Sequence, residues 1–316
     1  MGRKHKGNKV DGWVNLDKPL GLTSTQALGK VRRYLNAGKA GHAGTLDPLA
    51  TGILPIALGE ATKTIPFVQD SMKSYQFTVK WGAATNTDDS EGKITDTSDK
   101  RPAEDEVTAL LPNYTGEIDQ TPPQFSAIKI DGQRAYDLAR KGEEVAIKTR
   151  NVYIESFTLD EHTGEQSIFT VHCGKGTYVR ALARDMGAVL GCYGHIIALR
   201  RLSVGPFHEK DAISLDILEE MHDSAASNEA ILDPSYWEGA LLPLESALDD
   251  IPALPLSKDE AAKLKNGQVV SLISKGDFHR VEGMNGQIAL ALLDDQPIGL
   301  VDIAGPSVKP ARIFNL

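Results

Sequence analysis

The stretch KSYQFTVKW, residues 73 to 81, constrains the fold more than any other part of the chain. Tyr75, Phe77, Val79 and Trp81 alternate with Gln76, Thr78 and Lys80, the period of a half-buried strand. Val152 to Leu159 and Gln166 to Cys173 read as two more strands, joined by a turn at Glu161 to Glu165, and such alternation agrees with antiparallel pairing. A further strand is predicted at His195 to Val204, and a short one at Gly12 to Leu16.

Helical patterns lie between these strands. Thr23 or Ser24 can cap a helix whose apolar positions Leu28, Val31 and Leu35 recur at three- and four-residue steps. Residues 104 to 112 look helical. Thr177, after the break at Gly174 to Gly176, reads as the cap of a helix with Val179, Ala183, Met186 and Leu190 on one face and Arg180 and Arg184 on another. Gly38 to Gly52 reads as loop, Asn86 to Gly92 as a polar turn, and 120 to 145 as an extended loop with a helical insert. Residues 211 to 250 read as a helix plus linker ending at Pro252 and Pro255, beyond which a Ser257-capped helix and the runs VVSLI, IALALL and IGLVDIA form a small strand-rich module.

Charge is uneven along the chain. The total is -9, yet residues 1 to 50 carry net +6, and residues 211 to 250 carry eleven acids with no Lys or Arg. Everything outside that acidic stretch therefore sums to +2. A basic face that meets a polyanion stays open, because nucleic acid responds to the local field. Only Cys173 and Cys192 occur, without metal-site spacing, so neither a disulfide framework nor a zinc site is expected. No apolar run approaches a membrane span or a signal h-region, and a cytoplasmic protein is expected.

The segment GHAGTLDPLATG, residues 41 to 52, is the candidate for chemistry. It lacks the GxxxxGK[ST] pattern of a phosphate loop and the GxGxxG of a dinucleotide site. A metal reading would pair His42 with Asp47, but no second histidine lies nearby. Pro48 pushes Asp47 toward extended backbone and holds its carboxylate on a stiff loop, while Gly41, Gly44 and Gly52 allow close approach. An isolated Leu-Asp-Pro would be a turn; this one comes with companions.

Those companions are VNLDKPLGLTS before it, Lys73-Ser74-Tyr75 after it, then TPPQFSAIKIDGQRAYDLAR and GKGTYVRALARDMG. In sequence and order, from about Asp11 to Pro206, the chain resembles the bacterial tRNA pseudouridine-55 synthases, the TruB-type pseudouridine synthase family. The resemblance implies an α/β (α+β) fold: a mixed, mainly antiparallel core sheet with a central cleft, over residues 1–210 with a thumb-like insert at about 120–150. It also implies a β-rich RNA-binding domain of PUA type at 253–316; the acidic helix and linker at 211–252, read from composition, is longer than the family pattern leads one to expect. The implied activity moves the base of a T-loop uridine of tRNA from an N1 to a C5 linkage at C1′, with no cofactor and no metal. The implied partner is the T arm of tRNA, with no membrane, no obligate protein partner and a monomeric state.

Carried over by motif position, Asp47 is the catalytic aspartate. The routes open to it are attack on C1′, addition to C6 and removal of the 2′ proton. Arg180 matches the arginine that pairs with it, and a guanidinium at that place favours the ionised carboxylate. Tyr75 matches the tyrosine that stacks on the flipped base and serves the C5 proton, Tyr178 and Leu199 match residues lining the uracil pocket, and His42 matches a histidine that wedges into the T loop. Lys129, Arg134, Arg140 and Lys141, amid Asp131, Asp137, Glu143 and Glu144, match the thumb. Competing functions are a tRNA-binding RNA chaperone that needs no chemistry and a hydrolase that would release free uracil.

Overall fold

The computed structural model describes residues 7–126, 128–130, 133–134, 146–227, 234–272 and 275–316. Most of the expected thumb, including Asp131, Asp137, Arg140, Lys141, Glu143 and Glu144, lies outside the described residues. The elements run β1 (Gly12–Lys18), α1 (Ser24–Tyr34), β2 (Ala40–His42), β3 (Ala50–Leu58), α2 (Ile65–Asp70), β4 (Lys73–Trp81), β5 (Ala83–Thr85), β6 (Ile94–Thr97), α3 (Glu104–Leu110) and β7 (Gly116–Gln120). There follow β8 (Lys129–Ile130), β9 (Gln133–Arg134), β10 (Arg150–His162), β11 (Gln166–Cys173), α4 (Val179–Leu190), β12 (Gly194–Val204), β13 (Phe207–His208), β14 (Ile213–Ser214) and α5 (Leu215–Ser227). The chain ends with β15 (Ala253–Pro255), α6 (Lys258–Lys265), β16 (Val270–Ser271), α7 (Lys275–Arg280), β17 (Ile288–Leu293), β18 (Gln296–Ala304) and β19 (Ser307–Ile313). No helix among the described residues is long and apolar enough to cross a membrane.

The main sheet has the order β14-β1-β3-β12-β4-β11-β10-β7, with β2 and β13 beside it. Most pairs are antiparallel; β1 with β14 and β3 with β12 are parallel. The alternation in β4 is realised as drawn from sequence: Tyr75, Phe77, Val79 and Trp81 are buried, while Gln76 and Lys80 are exposed. Phe77 stacks with Phe157 and Phe169 at centroid distances of 5.9 and 5.4 Å, and the latter two rings meet tilted at 5.4 Å. The indole N–H of Trp81 donates to the Ser167 hydroxyl at 2.9 Å, so its polar edge is satisfied inside the core.

Two expectations need correction. Part of the 38–52 loop is strand: β2 pairs with the far end of β3, and β3 begins at Ala50. Glycine-rich composition hid this pairing, because the side chains that signal a strand are missing there. Thr177 does not cap α4. The N-cap is Tyr178, without a side-chain cap, and the Thr177 hydroxyl donates instead to the Gly174 carbonyl. At α1 the alternatives resolve: Thr23 is the cap, in a capping box with Gln26, which leaves Ser24 for another task.

A five-stranded sheet, β15-β17-β18-β19-β16, forms the C-terminal unit around its own core of Leu254, Leu264, Leu272, Val301 and Val308. A second apolar cluster, with Trp13, Phe207, Leu244, Leu300 and Phe314, welds that sheet to the main one. The acidic stretch lies between them. Leu218, Met221 and Ala225 of α5 turn inward toward the main core, and Asp216, Glu219, Glu220 and Asp223 face solvent. Further on, Leu242 exchanges two backbone hydrogen bonds with Trp13, at 2.7 and 2.8 Å.

Candidate active site

The Asp47 loop connects β2 to β3 and is held from several sides. Ser24 donates its hydroxyl to the Leu46 carbonyl at 3.0 Å and accepts the Leu46 N–H at 2.8 Å. Gly21 N–H donates to the Pro48 carbonyl at 2.9 Å. Arg201, 1% exposed, reaches from β12 to the carbonyls of Ile53 at 2.6 Å and Gly44 at 3.1 Å. The parallel pairing of Leu199 with Ala50 and Arg201 with Gly52 sets this approach. Gly52 is required there: it sits at φ 97°, and a Cβ would lie 2.1 Å from the Arg201 carbonyl oxygen.

Asp47 accordingly presents its carboxylate, 40% exposed, to a cleft of about 350 Å³. Its Oδ2 lies 2.9 Å from Nη2 of Arg180, whose side chain is only 7% exposed. Arg180 is fixed in turn by the carbonyls of Thr87 at 2.8 Å and Phe125 at 2.9 Å and by Asp89 at 3.5 Å. Asp89 is buried and oriented by the Thr87 hydroxyl at 2.5 Å and the Glu91 N–H at 3.1 Å. A buried guanidinium between two carboxylates keeps its charge compensated.

Tyr75, Tyr178 and Leu199 line the same cleft. Burial raises the Tyr75 phenol above its ordinary pKa, against the pull of the Arg201 charge, so the hydroxyl stays protonated. Tyr178 is gripped by Gln120, which accepts its N–H at 2.7 Å and donates to its carbonyl at 3.1 Å. The Arg150 guanidinium stacks over the Tyr178 ring at 4.9 Å. His42 stands apart on β2, outside the residues lining the cleft; burial lowers its pKa, which keeps the ring neutral near pH 7.

Two buried lysines flank the cleft, and burial brings each down to about 8. Lys18 donates to the carbonyls of Pro19 and Leu22, both at 2.8 Å, and feels the Asp47 charge. Lys73 donates to Gln69 and Ser71 carbonyls and lines the cleft. Sequence reasoning did not single out Asp89, Lys18, Arg201 or Gln120, and offered Ser24 only as a helix cap. Asp89 carried one readable signal, two adjacent carboxylates in a threonine-rich turn; the others act across the fold, from positions that look ordinary. Among the described residues no cluster of His, Cys, Asp or Glu could hold a metal ion.

Residues 32–179 match the TruB family pseudouridylate synthase N-terminal domain, and 180–249 match the tRNA pseudouridylate synthase B C-terminal domain. The chain is 52% identical to tRNA pseudouridine synthase B of Bradyrhizobium diazoefficiens, over 99% of this chain and 90% of that one. It is 45% identical to the protein of that name from Rhodospirillum rubrum, over 100% of both. Among solved structures, the fold is similar to a chain of an H/ACA ribonucleoprotein bound to a substrate RNA containing 2′-deoxyuridine, with TM-score 0.73, 22% identity and 100% and 92% of the two chains covered. An archaeal box H/ACA Nop10-Cbf5 complex gives TM-score 0.72 at 23% identity, with 97% and 86% covered. A loop that aims one carboxylate at a buried arginine in a cleft also lined by tyrosines, and relatives near half identity along the whole length, lead to one family: this chain belongs to the TruB family of pseudouridylate synthases.

Proposed function

We propose that this protein is a tRNA pseudouridine synthase that isomerises the uridine at position 55 in the T loop. The observation that carries this reading is the Asp47–Arg180 pair at 2.9 Å in a cleft lined by Tyr75. The reaction breaks the C1′–N1 bond, turns the base and forms C1′–C5; the C5 proton leaves and N1 gains one, so no atom is added or lost. Asp47, held 2.9 Å from the Arg180 charge, meets the sugar and base. A stable guanidinium partner in a pre-formed site supplies that charge without reorganisation during the reaction.

The target uridine is flipped out at a cost of a few kcal/mol. Stacking on aromatic side chains returns about 1 to 3 kcal/mol per base, and in this reading Tyr75 and Tyr178 provide it while Leu199 completes the uracil pocket. Tyr75, protonated, acts on the base by stacking and as a hydroxyl that serves proton movement at C5, not as a phenolate base. His42, at the end of β2, is read as the wedge into the T loop. Lys18, Lys73, Arg150 and Lys175 give the cleft a positive field toward RNA.

Residues 1–210 are read as the catalytic domain, 211–252 as an acidic connector and 253–316 as a PUA-like RNA-binding domain; the separate apolar core of the five-stranded sheet supports the last boundary. The protein is read as a cytoplasmic monomer. Incubation with an unmodified tRNA transcript, followed by carbodiimide-dependent reverse-transcription mapping, is expected to give a stop at the T-loop uridine alone. Asp47→Asn is expected to remove that stop while tRNA still binds. Conversion by Asp47→Asn at the wild-type rate, or free uracil among the products, overturns the assignment; cellular function that survives Asp47→Asn points to the chaperone role.

A further inference from the structure

Arg184 lies four residues after Arg180 and therefore one turn along the same face of α4. Its guanidinium repeats the pattern of Arg180 with the neighbouring residues. Arg180 takes Asp89 and the Phe125 carbonyl. Arg184 takes Asp88 Oδ2 at 3.2 Å and the Thr121 carbonyl at 2.7 Å, and its Nε donates to Asp185 at 2.8 Å. The two arginines thus form two parallel rungs between the same pair of segments, the 87–89 turn and the 121–125 segment that follows β7.

We propose that Arg184 is a positioning residue for the isomerisation: by clamping Asp88 and the Thr121 carbonyl it holds the two segments from which Arg180 is aimed at Asp47. This rests on the reading of Asp47 and Arg180 given above. Every nitrogen of the Arg184 guanidinium is engaged, an arrangement only a planar fork can make. Asp88 has a backbone φ of 60° and is locked further by its carbonyl, which accepts the Ile196 N–H of β12 at 3.1 Å. Asparagine suits that left-handed backbone equally well, so the turn alone does not call for a carboxylate; the Arg184 contact does. Burial pushes the Asp88 carboxyl up to about 6, against the pull of Arg184 and Arg180, so the charge sits where it costs stability.

The test compares wild type with Arg184→Met, Arg184→Lys and Asp88→Asn, measuring the single-turnover rate of pseudouridine formation on an unmodified tRNA transcript, tRNA affinity by filter binding, and melting temperature. Arg184→Met is expected to lower the rate about 10- to 100-fold, the scale of a sub-ångström to ångström misplacement, with affinity changed by no more than about 2-fold. Arg184→Lys, which keeps the charge toward Asp88 but cannot fork, is expected to recover part of the rate. Asp88→Asn is expected to slow the reaction without lowering the melting temperature, a result a purely structural contact would not give; it also carries the test if Arg184→Met does not fold. A wild-type rate in Asp88→Asn and in folded Arg184→Met, or an affinity loss as large as the rate loss, overturns the inference. Wild-type protein that makes no pseudouridine overturns instead the reading of the reaction on which it rests.

Discussion

Asp88 and Asp89 are adjacent, and their side chains go to different arginines for different ends. Burial is the larger influence on Asp88, lifting its pKa from the usual 3.8 to about 6 against the charges of Arg184 and Arg180, with the Asp185 carboxylate adding to the rise. The folded protein therefore holds a proton there that the unfolded chain releases, between about pH 4 and 6. Stability from this group is present below pH 4 and lost as pH rises through 6. At about 1.4 kcal/mol for each tenfold change in proton affinity, the loss is on the order of 3 kcal/mol. In urea denaturation, the difference between Asp88→Asn and wild type is expected to move in favour of the variant by about 2 to 3 kcal/mol from pH 4 to 7.5; a difference that does not change with pH sinks this account. Asp47 was legible because Pro48, the surrounding glycines and the flanking motifs pointed to it together. Asp89 was far less so: its one local signal, a second carboxylate beside it in a threonine-rich turn, also fits a solvated turn, and its partner Arg180 lies 91 positions away.

Among elements, the β3–β12 pair decides where the Asp47 loop can go. Its parallel register brings Gly52 against Arg201 with no room for a side chain. Gly52→Ala meets both a backbone conformation unsuited to alanine and a collision with backbone oxygen, together about 3 kcal/mol or more. Thermal melting is expected to show that loss, with the rate of product formation falling in whatever folded protein remains. The alternation of β4 and the pairing of β10 with β11 were readable because side chains of opposite polarity declared each face. β2 was not, as Ala40, Gly41 and His42 declare none. β19, SVKPARI, escaped for a related reason: its charges and proline mask a strand whose inward positions are few.

Over the whole molecule, the two sheets share one apolar cluster, with Trp13 and Phe314, that joins them. Lys63 adds a polar clasp: it donates to the Ile313 carbonyl at 2.6 Å and pairs with Glu60, which also accepts the Asn315 N–H at 2.7 Å. Phe314, 3% exposed, anchors the chain end. Phe314→Ala is expected to cost about 3 kcal/mol and to split a single unfolding transition into two, seen as non-coincident fluorescence and circular dichroism curves; a single coincident transition would show the join to be dispensable. The acidic stretch, whose charge was plain from sequence, has an arrangement that was not: among its described residues Leu218, Met221 and Ala225 turn to the main core while Asp216, Glu219, Glu220 and Asp223 are exposed.

The dependence of the Asp47 loop on Arg201 bears on how the protein is made. A ribosome releases Asp47 about 154 residues before Arg201, an interval of about 10 to 30 s at ordinary rates of translation. Until then the nascent β2–β3 segment lacks the guanidinium that ties Gly44 to Ile53. The machinery that engages the nucleotide is thus assembled only once Arg201 has been synthesised.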